Sequence, residues 1–544
     1  MSTDGLYSTV GPKAASSHPK LAKLVSNPIA ELDSPYCIQL DTKRYGCAAA
    51  YARRFLSEEM PMTEVQPYDG LRGWLDAVDG MGELLRVSGA SWDAEMGAIT
   101  HMLTEKSRGD APAVLFDEVP GYPKGYRTLY GHFSSVRRVA LTLGLSTTFN
   151  RKVDIVQRYH ERMQSLKPLA PRYVNDGPIL ENVITGDDID VLKFPVPRHH
   201  EIDKARYIGT ANCVITQDPD AGWFNLGTYR NQVYDGKTIG CQITEGKHGR
   251  IHRDKYFERG QSMKVVVLVG QDPLLYMLSA SPLPEGVSEL EFAGGIKNKP
   301  IDVIRGPYTG FPIPADCEIA IEAEAVPGNV KPEGPFGEWM GYYSDDSQPR
   351  PYLDVKTILH RNNPIICCAP QHKPVDETGL LKGIAGSAQI WRALDACGLP
   401  DILGVWNHEG GPATRFTVVQ IKQRYPGHAR NVLHVAASCQ GGAYAGKWTV
   451  VVDDDIDAGD LDQVLWAMST RFDPVTDIDI IQKAWASKRD PLWLPGNFNN
   501  RILIDACIPY DMKLKGTFPP VVDVTPELRA KIRAKFSKIA FPNG

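Results

Sequence analysis

The spacing of apolar residues changes twice along this 544-residue chain, and this change most constrains its fold. Before about residue 207 the spacing is mixed: Met96, Ile99 and Met102 would lie on one helical stripe, whereas 113–116 is an apolar run of strand length. After residue 351 helices and strands alternate again, up to a last helix that opens at Thr525. We therefore predict a multidomain α+β fold, with an α/β domain at each end and a mainly β domain between them.

The middle of the chain has the pattern of strands joined by hairpins. An Asp235-Gly236 pair suits a tight hairpin turn between two of these strands. Short strands separated by such turns favour a barrel or a sandwich. The predicted strands of this segment are 207–215, 225–233, 238–243, 263–269 and 318–325.

Composition excludes several classes of protein. Lys and Arg number 60 against 65 Asp and Glu, so the formal charge of -5 offers no general attraction for nucleic acid or an anionic membrane. No apolar run approaches the ~18 residues of a membrane span, and 1–25 lacks the apolar core of a signal peptide. The 10 cysteines include no Cys-x-x-Cys pair, which argues against a zinc site. We predict a cytoplasmic protein whose partners are small molecules or copies of itself.

A Gly- and Pro-rich segment holds two carboxylates, Glu333 and Glu338. Such a segment cannot place them on one helix face, so we expect a tight loop in which glycine lets the backbone approach a ligand. The alternative is a turn on the protein surface with both acids in water, which is where most pairs of acids in a sequence lie. The neighbours Phe336, Trp339 and Tyr342 favour burial instead, and a buried carboxylate needs a cationic partner or a raised pKa.

Arg230 is a candidate partner for these acids. If 225–233 is one strand, alternation places Thr228 and Arg230 on the same face. An arginine inside a barrel is costly unless acids pair with it, but an arginine on an edge strand in water remains an alternative. No phosphate-binding glycine motif supports a nucleotide site, although 279–289 is a small-residue turn before a helix that suits an anion.

Four elements in a fixed order carry a family resemblance. They are Asn225 with Arg230, then His248, then Ser288-Glu289, and then the segment from Glu333 to Glu338 followed by Gly341-Tyr342. In this order and spacing the chain resembles the UbiD family of decarboxylases, over about 71–536. The resemblance implies a central split β-barrel domain that binds a flavin, between an N-terminal α/β domain and a C-terminal α/β domain with a terminal helix.

The resemblance also implies five segments. They are a polar N-terminal extension over 1–64, an N-terminal α/β domain over 65–195, a central prenylated-FMN-binding β-barrel domain over 196–350, a C-terminal α/β domain used for oligomerisation over 351–520, and a C-terminal helical arm over 521–544. A homodimer or homohexamer is expected.

The cofactors implied by the resemblance are prenylated FMN, a divalent metal (Mn²⁺, or else Mg²⁺ or Fe²⁺) and K⁺. Asn225, His248 and Glu289 would hold the metal with the cofactor phosphate, and one nitrogen with oxygen ligands suits such an ion. Ser279 and Ala280 match the segment that lines the phosphate and K⁺. The other cofactor-binding residues expected are Thr228, Tyr229, Arg230, Lys247 and Lys447.

The activity implied is reversible, non-oxidative decarboxylation of an aromatic or heteroaromatic acid through a covalent substrate adduct with prenylated FMN. Arg230, Glu333 and Glu338 would be the catalytic residues, with Glu338 protonating the adduct after CO₂ leaves. A flavin prenyltransferase would supply the cofactor. Lys247 and Gly441 depart from the residues of ferulic acid decarboxylases, which leaves hydroxybenzoates, benzene dicarboxylates or aryl-CoA thioesters as substrates.

Three alternatives remain open at this point. The first is a phthaloyl-CoA-type decarboxylase rather than an enzyme for the free acid. The second is an FMN-dependent oxidoreductase on a split barrel, which would give Arg230, Glu333 and Glu338 no joint purpose. The third is a non-catalytic scaffold, against which the intact metal and acid motifs argue.

Overall fold

The computed structural model describes residues 68–105, 107, 109–281, 283–343, 347–486 and 488–539. The predicted N-terminal extension over 1–64 and the last residues of the predicted arm lie outside these ranges. The predicted multidomain α+β character is confirmed, because sheets of different topology are flanked by helices along the described chain.

The strands are β1 Leu84–Ser88, β2 Ala113–Asp117, β3 Arg127–Tyr130, β4 Arg172–Tyr173, β5 Asn182–Thr185, β6 Arg206–Gly209, β7 Asn212–Gln217, β8 Phe224–Gly227, β9 Asn231–Asp235, β10 Thr238–Gly240, β11 Met263–Val269, β12 Asp302–Arg305, β13 Pro312–Pro314, β14 Ile319–Glu333, β15 Gln348–His360, β16 Ile365–Cys368, β17 Ile402–Asn407, β18 Phe416–Ile421, β19 Trp448–Val452, β20 Ile478–Trp485 and β21 Phe498–Ala506.

The α-helices are Gly70–Gly80, Glu95–Thr104, Val136–Thr142, Val153–Ser165, His248–Glu258, Pro273–Ser279, Glu289–Lys297, Glu377–Ala396, His428–Ser438, Gln440–Ala443, Leu461–Thr470, Tyr510–Lys515 and Pro526–Lys535. Short 3-10 helices cover Pro178–Leu180, Gly186–Asp188, Val191–Lys193 and Ala413–Arg415.

The N-terminal part forms a mixed four-stranded sheet in the order β1-β2-β3-β16. Its outer pairs are parallel and its middle pair, β2 with β3, is antiparallel. The predicted helical stripe is only partly correct, because Met96 is buried whereas Met102 is 74% exposed. β16 comes from far along the chain and joins this sheet beside β3.

The central sheet is antiparallel and follows the order β6-β9-β10-β15-β14-β11-β7-β8, with β5 beside β15. Both of its faces are buried, since alternate residues of β11 join two different apolar clusters: Val266 and Leu268 join one, and Val265 and Val267 the other. This burial explains why β11 has a continuous apolar sequence rather than the alternation of a half-exposed strand.

The two ends of this sheet are joined by short links, which makes it a half-barrel. In the strand order of the sheet, β6 and β9 lie at one end and β7 and β8 at the other. Nevertheless, only residues 210–211 connect β6 to β7, and only residues 228–230 connect β8 to β9. Asn212 crosses the link, donating from Nδ2 to the carbonyl of Tyr229 at 3.0 Å and to Oδ1 of Asn231 at 2.8 Å. Links this short require the sheet to curl until its ends meet.

The predicted single strand over 225–233 is therefore wrong. The chain leaves the β8 ladder after Gly227 and enters β9 at Asn231, so Thr228 and Arg230 do not alternate within one strand. Arg230 instead makes an isolated antiparallel bridge with Gln242. The break frees the Arg230 side chain from the faces of the sheet and places it at the bend.

The C-terminal part forms a mixed sheet in the order β17-β18-β19-β21-β20. β18, β19 and β21 are parallel, and helices such as Glu377–Ala396 and His428–Ser438 connect and cover the strands. β20 was not predicted; it pairs antiparallel with β21 at the edge. The terminal helix begins as predicted, with Thr525 Oγ1 accepting a hydrogen bond from the backbone N–H of Leu528.

The predicted domain boundaries stay predictions, although strand pairing crosses two of them. β5, before residue 195, pairs with β15, which spans residue 350, and β16 returns to the N-terminal sheet. In the described part of the chain, no helix has both the length and the apolar character that crossing a membrane requires.

Candidate active site

The two predicted acids lie on a tight loop at the end of the half-barrel. Glu333 is the last residue of β14, and the turn beyond it is closed by hydrogen bonds from Glu338 N to Tyr342 O at 2.9 Å and from Gly341 N to Glu338 O at 2.8 Å. Glu333 is 4% exposed and Glu338 9%. Phe336 and Trp339 are buried with them, but Tyr342 is 60% exposed, so its predicted burial is wrong.

Arg230 pairs with both acids. Its Nε and Nη2 donate to the two carboxylate oxygens of Glu333 at 2.7 and 2.9 Å, while its Nη1 lies 3.4 Å from Oε1 of Glu338. The guanidinium also stacks 4.5 Å from the ring centre of Phe336. Burial opposes the charge of Arg230, but Glu333 and then Glu338 outweigh it and raise the pKa above its ordinary value. Arg230 is therefore a fixed cation with a bidentate anchor.

Arg489 is a residue of the site that the sequence did not predict. It follows β20, in the segment before β21, and its Nε donates to Oε2 of Glu338 at 2.9 Å. Its Nη2 donates to Oγ1 of Thr244 at 3.2 Å. The charge of Glu338 raises the pKa of Arg489 against the effect of burial. Glu338 thus lies between two guanidinium groups that reach it from different parts of the fold.

These groups line a cavity of about 600 Å³. Its walls come from the bend of the half-barrel, the turn after β10, the acid loop and the helix Glu377–Ala396. The volume falls within the roughly 300–1,000 Å³ of sites that hold cofactors and small ligands. Besides Arg230 and Arg489, two lysines face it, Lys247 and Lys382, so cations outnumber acids on its walls.

The three residues predicted to bind a metal line the same cavity. Asn225 lies within β8, His248 begins the helix His248–Glu258 and Glu289 begins the helix Glu289–Lys297. Asn225 donates from Nδ2 to the hydroxyl of Tyr229 at 3.3 Å, and no described residue donates to its Oδ1. Burial lowers the pKa of His248, which keeps an imidazole nitrogen free of its proton for a ligand.

The environment of the Glu289 carboxyl group gives the strongest support for a metal site. Burial raises the pKa of this group to about 8, and within the described residues no cationic side chain pairs with it; its Oε2 accepts the backbone N–H of Leu226, at 2.6 Å. The hydroxyl of Ser288 beside it is buried without a partner among the described residues. A buried carboxyl group without a cationic partner either keeps a proton or binds a cation, and a divalent ion at this position would replace the proton. The described part contains no group of three or more His, Cys, Asp or Glu that could hold a metal, so an amide oxygen such as that of Asn225 would have to take part.

Tyr229 lines the cavity and also holds this wall in place. Its hydroxyl accepts hydrogen bonds from Asn225 Nδ2 and, at 3.0 Å, from the backbone N–H of Gly249. A methyl group at Gly227 would lie 2.2 Å from its ring, and one at Gly249 would lie 2.5 Å from it. Both positions therefore require glycine because the ring of Tyr229 packs between them.

Thr228, Ser279 and Ala280 also line the cavity, as predicted for residues near a cofactor. The hydroxyls of Thr228 and Ser279 lie 2.7 Å apart, and Thr228 N donates to Ser279 O at 3.1 Å. Lys447 lies outside the lining: it precedes β19, and its carbonyl accepts from Ile502 N at 2.9 Å. We leave Lys447 out of the candidate site for this reason.

Family models match most of the chain. The N-terminal, Rift-related and C-terminal domains of 3-octaprenyl-4-hydroxybenzoate carboxy-lyase match residues 75–155, 172–374 and 380–506. The chain belongs to the UbiD family. It is accordingly a carboxy-lyase of the UbiD type.

Named relatives of the UbiD chain act on different acids. A pyrrole-2-carboxylic acid decarboxylase of Pseudomonas aeruginosa is 31% identical over 423 residues, covering 75% of this chain and 84% of the relative. A phenolic acid decarboxylase of Escherichia coli is 28% identical over 475 residues, covering 85% of this chain and 97% of the relative.

Solved UbiD structures have the same fold. The UbiD-class enzyme HmfF of Pelotomaculum thermopropionicum, in complex with FMN, superposes with a TM-score of 0.76 at 27% identity, over 86% of this chain and all of its own. The vanillic acid decarboxylase of Sedimentibacter hydroxybenzoicus, in an open form, gives 0.76 at 26% identity, over 87% of this chain and 99% of its own.

Proposed function

We propose that this UbiD protein reversibly decarboxylates an aromatic or heteroaromatic carboxylic acid with the help of prenylated FMN. The observation that supports this most is the position of Glu338 between Arg230 and Arg489 on the wall of one cavity. A guanidinium group binds a carboxylate and a neighbouring carboxyl group delivers a proton, which are the two tasks that the reaction leaves to the protein.

The residues present fit the cofactor. Asn225, His248 and Glu289 would hold its phosphate through a divalent ion, for which the buried, unpaired Glu289 supplies the reason. Thr228, Ser279 and Ala280 would lie along the phosphate and a K⁺ ion. When bound, the prenylated flavin supplies the electron sink that the departure of CO₂ from an sp² carbon requires.

The chain's own residues divide the remaining work. Arg230, anchored by Glu333, and Arg489 orient the substrate carboxylate. The carboxylate competes with Glu338 for these guanidinium groups, and Glu338 then delivers a proton to the ring carbon that loses CO₂. The electron pair of the broken C–C bond forms the new C–H bond with this proton, so no residue of the protein is oxidised or reduced, and water returns a proton to Glu338. Carboxylation follows the same steps in reverse.

The partners of the protein are part of the same proposal. A flavin prenyltransferase supplies the cofactor, and the enzyme works in the cytoplasm as a homodimer or homohexamer. A dimeric form is named for an evolved HmfF. A split-barrel flavin oxidoreductase is not favoured, because hydride transfer gives the pairing of Arg230 with two acids no role.

Co-expression with a flavin prenyltransferase tests the proposal. The purified protein should release a flavin with the mass and absorption of prenylated FMN, and should release CO₂ from one or more members of a panel of aromatic acids, offered free and as CoA thioesters. Ordinary FMN that is reduced by NAD(P)H, together with no release of CO₂, would overturn the proposal in favour of an oxidoreductase.

A further inference from the structure

One wall of the cavity is a stripe of the helix Glu377–Ala396. Residues three or four apart on a helix share a face, and the cavity-lining residues of this helix follow that spacing. They are Thr378, Leu381, Lys382, Ala385, Gly386 and Gln389. Lys382 is thus the one charged side chain among these six; the other five are uncharged.

Lys382 has no ion pair and no hydrogen bond within the described residues; its ammonium group lies 5.1 Å from the ring centre of Trp339. Burial lowers its pKa to about 8, and the like charges of Lys247 and Arg489 add to the effect. The opposing acids, Glu338 and Asp376, do not outweigh them. An unpaired, half-buried lysine among like charges costs free energy unless a ligand supplies an anion.

Neither acid near Lys382 pairs with it, although Oδ2 of Asp376 is buried without a partner among the described residues and burial raises the pKa of this carboxyl to about 7. Glu338 is engaged by Arg230 and Arg489, and Asp376 caps its helix by accepting the backbone N–H of Gly379 at 2.9 Å. The scissile carboxylate of a substrate would occupy the guanidinium groups. A monocarboxylate would therefore leave the charge of Lys382 unmatched, whereas a second carboxylate on the same ring would match it.

We propose that the substrate is an aromatic dicarboxylate, one carboxylate of which is bound by Arg230 and Arg489 while the other is bound by Lys382. This inference rests on the proposed decarboxylation and names its substrate class. Lys382 is a specificity-determining residue: it takes no part in the transfer of the proton and selects acids by their second charge. A CoA thioester, which hides one carboxylate in a neutral bond, would lose this contact.

Binding to the holoenzyme tests the inference. Dissociation constants of benzoate, 4-hydroxybenzoate, phthalate, isophthalate and terephthalate would be measured by calorimetry at pH 7. At least one dicarboxylate should bind about tenfold or more tightly than benzoate, as expected for a charge-assisted contact. Lys382→Met should reduce this ratio to near one, and Lys382→Arg should keep most of it. Lys531→Met, on the exposed terminal helix, is the matched control and should keep the full ratio.

The dicarboxylate preference should also decline between pH 7 and pH 9 as Lys382 loses its proton, since Lys247, Arg489, Glu338 and Asp376 set the field around it. Equal binding of benzoate and every dicarboxylate, an unchanged ratio in Lys382→Met, or a preference for 4-hydroxybenzoate would overturn the inference. Release of CO₂ from monocarboxylates alone would overturn it and leave the proposed reaction standing. Selective binding of dicarboxylates without release of CO₂ from any acid would support the binding site and overturn the reaction.

Discussion

Arg489 donates a hydrogen bond from Nε to Oε2 of Glu338 at 2.9 Å, although 151 residues separate them. Arg489 follows the edge strand of the C-terminal sheet, whereas Glu338 lies on the loop that leaves the half-barrel. The placement of the proposed proton donor therefore depends on two sheets that are distant in sequence. Any shift of the segment that carries Arg489 would change the environment of Glu338.

Glu338→Gln should abolish turnover, because an amide cannot deliver the proton. We expect CO₂ release to fall by about 10²–10⁴-fold, the usual contribution of a positioned acid. Solvent-deuterium exchange into the product should be lost with it, while the flavin absorption of the purified variant stays unchanged. Turnover retained at the wild-type rate would contradict the proposed role of Glu338.

Arg489→Met should lower kcat/KM by about 10- to 100-fold, since it removes a charged hydrogen bond to Glu338 and a binding group for the substrate. Arg489→Lys restores the charge but not the planar fork and should recover part of the loss. Steady-state kinetics of both variants, with flavin content measured in parallel, check this. Equal kinetics in Arg489→Met and the wild type would show that Arg230 suffices.

Lys382→Met should stabilise the protein at pH 7. The folded pKa of Lys382 is lowered to about 8, below its unfolded value, so the unfolded state binds more protons between pH 8 and about 10.5. The wild type should therefore gain stability as pH rises through this window, and the advantage of the variant, about 1–3 kcal/mol at pH 7, should shrink. Urea unfolding of both proteins at pH 7, 9 and 10 measures it; a constant difference across this range would contradict the prediction.

Glu289→Gln should remove the response to a divalent metal. Mn²⁺ that binds only the folded wild type should raise its Tm. At a Mn²⁺ concentration of one hundred times the Kd, the free energy of unfolding should increase by about 2.7 kcal/mol. Glu291→Gln, in the first turn of the same helix, is the matched control and should respond like the wild type. A Tm response that survives in Glu289→Gln would place the metal elsewhere.

Gly249→Ala should destabilise the protein by about 1–3 kcal/mol, because the new methyl group would lie 2.5 Å from the ring of Tyr229. Displacing this ring also removes the hydroxyl that holds Asn225, so the Mn²⁺ response should weaken too. Gly410→Ala has no atom within 4 Å of its methyl group and should be neutral. Thermal unfolding with and without Mn²⁺ tests the pair; equal Tm values for both variants would contradict this reading of Tyr229.

Local patterns in the sequence predicted much of the fold. The strand β11 has the predicted bounds, because a strand that is buried on both faces is a continuous apolar run in the sequence. The terminal helix also begins at the predicted cap, Thr525. The strand expected over 225–233 failed because its break depends on pairing with β6 and β7, which the local sequence does not encode. The edge strand β20 was not predicted for the same reason, since it is defined by its pairing with β21.

The candidate site divides in the same way. Glu333 and Glu338 stood out because glycine, proline and aromatic residues surround them, and Arg230 was a candidate partner because an arginine inside a barrel requires acids. The sequence around Arg489 and Lys382 does not distinguish them from ordinary surface residues. Arg489 is in a loop and Lys382 is on a helix, and most cationic side chains in such positions are solvated. Only the fold brings them to the cavity that Glu338 also lines. The helical spacing of small residues from Thr378 to Gln389 was the available hint that this helix faces a cavity.

The stripe on the helix Glu377–Ala396 has a consequence for how such an enzyme diversifies. The reacting groups belong to the half-barrel and its loop, whereas Lys382 and Gln389 belong to a separate element whose backbone hydrogen bonds are satisfied internally. Exchanges at these positions can therefore redirect the choice of acid without disturbing the register of any strand. An engineer seeking a new substrate would begin with a small library on this helix and leave the barrel as it is.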